Sequence, residues 1–184
     1  MRIAFAIALT AAAACTGSDP VAGGPDGGGE QADGAQATGE LVLAGTEDDG
    51  AGFLELADGS DATLIAGAQG GYHVWTKLRA RLMEGNLRVF HEARRVSDGV
   101  LVLRLPEQEL IVPHEAMEDW WEEPNPTANF MCPTPIGIQV YDQEIEYTVQ
   151  VMTVDGVLVG EDSITRVPRC PAGDEQNCHD RCSG

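Results

Sequence analysis

The chain has 184 residues, with 11 basic and 30 acidic side chains and a net charge of −19 at pH 7. An acidic excess of this size repels polyanions, which argues against nucleic acid and against an anionic membrane surface as partners. The length allows one ordinary domain with tails.

Met1-Arg2 is a short positive start, followed by the apolar run Ile3 to Ala14 and then Cys15. The run falls well short of the ~20 apolar residues that cross a bilayer. A positive start, a short apolar stretch and small residues together mark a secretory signal, here residues 1–14. Two readings meet at Cys15. Ordinary cleavage after an Ala-x-Ala leaves Cys15 incidental. Alternatively Ala12-Ala13-Ala14-Cys15 is a lipobox. The segment resembles bacterial lipoprotein precursors, in which small residues precede a Cys that is diacylated and becomes the N-terminus. That resemblance implies an exported protein anchored through Cys15 in a lipid bilayer. Thr16 follows, not the Asp that retains some lipoproteins at the inner membrane, so the outer membrane is the expected residence.

Residues 15–39 read as a flexible, disordered tether, with Gly23-Gly24-Pro25, Gly27-Gly28-Gly29, four acids and no aromatic. Such a segment has nothing to bury. Cleavage at Cys15 removes Arg2 and leaves ten bases against 30 acids.

Residues 40–170 read as β throughout. Short strands are expected at 41–43, 53–56 and 63–65. The clearest strand places Val74, Thr76, Leu78, Ala80 and Leu82 on one face and His73, Trp75, Lys77, Arg79 and Arg81 on the other. That period-2 alternation marks a half-buried strand, with Trp75 on the wet face over Lys or Arg. Glu84-Gly85-Asn86 turns into a partner strand over 87–96, and 100–105 returns. Residues 115–135 read as a long acidic loop. Strands are then expected at 136–140, 145–151, 157–159 and 164–167, with Asp155-Gly156 as a hairpin turn. Many short alternating strands predict an all-β fold, a single antiparallel immunoglobulin-like β-sandwich. Residues 171–184 are a Cys-containing tail. The run Gly67-Ala68-Gln69-Gly70-Gly71-Tyr72-His73-Val74-Trp75 resembles a segment of predicted bacterial lipoproteins of uncharacterised function. That resemblance implies such a sandwich after a Gly-rich tether and implies no activity.

Cys132, Cys170, Cys178 and Cys182 are even in number and, in an exported chain, lie where disulfides persist. Four cysteines allow three pairings. The strand positions favour Cys132 with Cys170 and Cys178 with Cys182. Cys170, Cys178, His179 and Cys182 also have zinc-ligand chemistry, which the oxidising compartment disfavours.

The motifs of common hydrolases, zinc proteases, haem attachment and phosphate loops are missing, so no enzyme and no cofactor is expected. Trp120-Trp121, set among Glu115, Glu118, Asp119, Glu122 and Glu123, forms either a cap over an open sheet edge or an acidic, aromatic binding surface. Lys77, Arg79 and Arg81 share a face and are expected to pair with carboxylates across strands. The acidic turns Asp48-Asp49-Gly50 and Asp58-x-x-Asp61 lack the calcium-loop pattern. The leading functional expectation is a non-enzymatic binding or structural module of the cell envelope, its partner an envelope protein or glycan. The second is metal binding through His73, Met83, His114 and Met117, whose imidazoles and thioethers suit Cu(I). Tyr72-His73-Val74 after two Gly is similar to a piece of the periplasmic copper chaperones, which implies the same use.

Overall fold

The computed structural model describes residues 39–45, 52–55, 57–134 and 137–183. Cys15, the signal, the tether and Ile136 lie outside these residues. Among the described residues, eleven strands form two antiparallel-rich sheets over one hydrophobic core.

In the first sheet, β4 (Tyr72–Arg81) is the central strand. On one side it pairs with β1 (Glu40–Gly45) and β3 (Ile65–Ala66); on the other it pairs with β8 (Trp121–Glu122) and β9 (Thr127–Cys132). The second sheet runs from β2 (Ser60–Thr63) through β11 (Leu158–Arg169) and β10 (Ile145–Thr153) to β5 (Gly85–Arg95). The far side of β5 is shared by β6 (Leu101–Arg104) and β7 (Gln108–Val112).

Alternation builds the core. Tyr72, Val74, Leu78 and Ala80 of β4 meet Leu87, Val89 and Ala93 of β5 and Ile145, Tyr147, Val149 and Val151 of β10 in one buried cluster. The inward polar groups are satisfied locally. Asn129 donates from Nδ2 to the Thr76 hydroxyl at 2.9 Å and to the Val74 carbonyl at 3.2 Å. Arg166, 6 % exposed, donates from Nε to the Ser60 carbonyl at 3.1 Å and also reaches the Asp61 carbonyl. It thereby ties down β2, the one strand that joins its neighbour in parallel among the described residues.

Several sequence expectations need correction. Leu82 is exposed, because its left-handed backbone (φ 59) ends β4 and turns the side chain out of the inward series. Residues 115–135 are not one long loop: a 3-10 turn (His114–Met117), β8 and β9 occupy most of them. Residues 137–140 are not a strand, although Ile138 and Val140 are buried. The expected strands at 157–159 and 164–167 are one strand, β11. Leu54 makes only an isolated bridge to Gly45.

The tail contains a helix, α1 (Glu175–Cys182), docked on β9. Its disulfides overturn the expected pairing. Cys132 bonds to Cys182 and Cys170 to Cys178, because the tail folds back across the end of the first sheet. Tyr72, fully buried, points its hydroxyl at Asp174 and Asn177 beneath this helix.

Candidate functional site

The outer face of β4 carries a run of aromatic and charged side chains. His73, Trp75, Lys77, Arg79 and Arg81 follow one another at every second position. In an antiparallel sheet, directly opposed residues share a face. The registers therefore add Glu40 (opposite Arg81), Glu122 (opposite Arg79) and Phe130 (opposite His73).

At the β3 end the ring of His73 meets Phe130 edge-on at 5.2 Å and lies 6.2 Å from Trp75. Glycine makes this packing possible. A Cβ on Gly67 would stand 2.1 Å from His73 Nε2, and one on Gly71 would stand 2.2 Å from Phe130 and 2.6 Å from the Cys132 carbonyl oxygen. Packing thus requires glycine at 67 and 71, and the left-handed backbone (φ 79) favours it at 70. His73 Nδ1 and Trp75 Nε1 are buried without a hydrogen-bond partner, and burial lowers the His73 pKa. Trp75 is half-buried on the predicted face, but its aromatic neighbour is His73; the expected stacking over Lys or Arg occurs instead at Phe53 and Trp120.

Mid-strand, Lys77 is 6 % exposed and pairs with Glu122 at 2.9 Å. Glu122 also meets Arg79 at 3.3 Å, and the hydrogen bond from Lys77 leads the effects that lower its pKa. Arg79 lies 3.9 Å above the Phe53 ring and 3.5 Å from Glu55. At the far end Arg81 pairs with Glu40 and lies 5.0 Å from the centre of the Trp120 ring. The ion pairing expected for Lys77, Arg79 and Arg81 is therefore present, with Glu122, Glu55 and Glu40 as the carboxylates. Glu146 lies on the second sheet, opposite Arg94, and Glu144 just precedes β10.

The two adjacent Trp differ in burial. Trp121 packs against the core from the edge strand β8, opposite Ala80. Trp120 is 37 % exposed. Glu123, one of the acids around the two Trp, closes this segment. Its N–H donates to the Leu78 carbonyl at 2.9 Å, in the interval of β4 between β8 and β9. One of its carboxylate oxygens is buried without a partner, and burial pushes its pKa up to about 7.

The four residues considered for copper do not assemble. His73 and Met83 are ten positions apart along and beyond β4, roughly 30 Å at strand rise. Met83 is buried against Gly39 and Gly160. His114 and Met117 sit on the 3-10 turn, with the His114 ring directed at Glu84. Among the described residues no group of three or more His, Cys, Asp or Glu side chains is arranged to hold a metal ion. Asp48, Asp49 and Gly50 lie outside them.

Two clefts lie elsewhere among the described residues. One, of about 390 Å³, opens between β1 and β11 and is lined by Val42, Glu55, Asp58, Asp162 and Ser163. The other, of about 500 Å³, lies on the outer face of the second sheet, among Phe90, Glu92, Arg94, Arg104, Glu146 and Met152. Neither is lined by Trp120, Arg81 or Glu40. Comparison with protein-family models, with curated proteins and with solved structures returns no match.

Proposed function

We propose that this chain is an envelope lipoprotein, anchored through lipid on Cys15 in the outer membrane. In this reading the two-sheet domain is an immunoglobulin-like β-sandwich that acts as a non-enzymatic binding or structural module. The observation that carries it is the ridge at the end of β4. Trp120 is held partly in solvent by Asp119, whose carboxylate accepts its backbone N–H at 2.7 Å, with Arg81 and Glu40 alongside. An indole face beside a paired guanidinium and carboxylate offers stacking and directional hydrogen bonds together. Those are the means by which a protein surface holds a sugar ring or a partner's polar loop. Two disulfides agree with an exported domain.

Two experiments test separate parts of this reading. Metabolic labelling with an alkyne fatty acid should mark the wild type and spare Cys15→Ala, which should leave the membrane fraction. Retention of the variant with the membrane overturns the anchor. Titration with solubilised envelope polysaccharide and with purified peptidoglycan fragments should perturb tryptophan emission in the wild type and not in Trp120→Ala. Equal responses in both proteins remove Trp120 from the site.

A further inference from the structure

The two disulfides of the tail lie against each other. Cys178 and Cys182 are four positions apart on α1, so they share a helix face, and their sulfurs are 3.9 Å apart. Each is bonded to a different part of the body, Cys178 to Cys170 and Cys182 to Cys132. Access differs sharply among the four. Cys132, Cys178 and Cys182 are at most 1 % exposed, whereas Cys170, between β11 and α1, is partly exposed. An external thiol therefore meets Cys170 first.

We propose that the four cysteines form a thiol–disulfide relay with Cys170 as its entry site and a small dithiol as its substrate class. The chemistry balances without any further reactant. A thiolate of the dithiol attacks the Cys170 sulfur, forming a mixed disulfide and expelling Cys178 as thiolate. Cys178 then attacks the Cys182 sulfur beside it, forming a Cys178–Cys182 bond and expelling Cys132 as thiolate. The second thiol of the reagent attacks its own sulfur in the mixed disulfide, leaves as a cyclic disulfide and releases Cys170. Two protons from the dithiol end on Cys132 and Cys170. One bond thus moves from between body and helix to within the helix, and one is reduced.

The consequence follows from what α1 buries. Cys178 and Cys182 are its only buried side chains. After the relay neither is tied to the body. The helix then rests on the Tyr72 contacts with Asp174 and Asn177 and on the stack of Tyr141 with His179, whose rings are 4.3 Å apart. Dithiol attack at the one partly exposed cysteine thereby releases both staples of the tail.

The test uses the full chain carrying Cys15→Ser, so that the four paired cysteines are the only ones. One equivalent of dithiothreitol is added, the reaction is quenched with acid, free thiols are alkylated with a maleimide, and peptides are mapped without reduction. The relay requires alkylation of Cys132 and Cys170 at least tenfold above that of Cys178, together with a peptide holding a Cys178–Cys182 bond. Alkylation of Cys170 with Cys178, of Cys132 with Cys182, or of all four together overturns it. In a Cys132→Ser, Cys182→Ser variant the receiving bond is gone, so Cys178 should now be alkylated as fully as Cys170. If that variant does not fold, the ratio in the parent chain decides alone.

Discussion

Burial keeps the Glu123 carboxyl protonated up to about pH 7, while the same group in an unfolded chain ionises near 4.5. Between those values the native state binds the extra proton, so stability falls as pH rises. Lys77, the one cation acting on Glu123, offsets only part of the burial cost. His91 has the opposite sign. Its buried ring, with an unpartnered Nε2, has a pKa pushed down to about 4, against 6.5 when exposed. Here the unfolded state binds the proton, so stability falls as pH drops from 6.5 to 4. The two slopes oppose each other between about 4.5 and 6.5. Glu123→Gln should expose the histidine slope: the variant's melting temperature should rise with pH across that interval, where the wild type stays nearly level. By pH 7.5 the variant should be the more stable protein, by on the order of 2 kcal/mol. Thermal melts of both proteins from pH 4.5 to 8 check this, and parallel curves would refute it.

At the scale of elements, the tail carries more of the stability than its composition suggests. The Cys132–Cys182 bond closes a sequence separation of 50 residues and the Cys170–Cys178 bond one of 8. In the chain-entropy model these constraints contribute ~4 and ~2.5 kcal/mol. Urea unfolding of Cys132→Ser, Cys182→Ser should therefore show a larger loss than that of Cys170→Ser, Cys178→Ser; the reverse order would mean that native contacts of α1 outweigh loop closure. The tail also shows where sequence reading stops. β4 was legible because water meets one of its faces and the core the other, so its side chains had to alternate. α1 was not, since Glu175–Cys182 contains no apolar residue apart from its cysteines, and a helix held by covalent bonds leaves no 3.6-residue stripe. β7 was missed for a related reason: it is an edge strand with Ile111 facing outward, 65 % exposed, which blurs its pattern. β8 and β9 were hidden by Pro124 and Pro126, which interrupt the segment between two pairings with the same strand. Of the candidate site, the basic side of β4 and the two Trp could be read. Glu40, Phe53 and Glu122 could not be assigned as partners, because only the β1 and β8 registers and the chain bridged at Leu54 bring them there.

At the scale of the whole molecule, positive charge is largely committed. Lys77, Arg79, Arg81, Arg88, Arg94, Arg95, Arg104 and Arg169 each reach a carboxylate, and Arg166 is spent on backbone carbonyls. The chain as a whole carries a net charge of −19, and among the described residues carboxylates outnumber the cations that could pair with them. Surface ion pairs of this kind contribute only ~0–1 kcal/mol each, whereas the summed repulsion acts over a screening length of about 30 Å at 0.01 M salt and 8 Å at 0.15 M. Raising sodium chloride from 0.01 to 0.3 M should raise the melting temperature. A fall would show that the pairs outweigh the repulsion.

Gly39 and the stapled tail lie at opposite ends of β4, and this has a mechanical consequence. Residue 39 enters at the Arg81 end, where Glu40 faces Arg81 and the Gly39 N–H meets the Val159 carbonyl. The stapled tail sits at the Tyr72 end, about 30 Å away along the ten-residue strand. A pull between these two poles runs along the strands. It loads the six-residue β1–β4 ladder in shear, all its hydrogen bonds at once, instead of peeling them apart in turn. A domain strung this way resists tension between whatever holds its front end and whatever grips its tail.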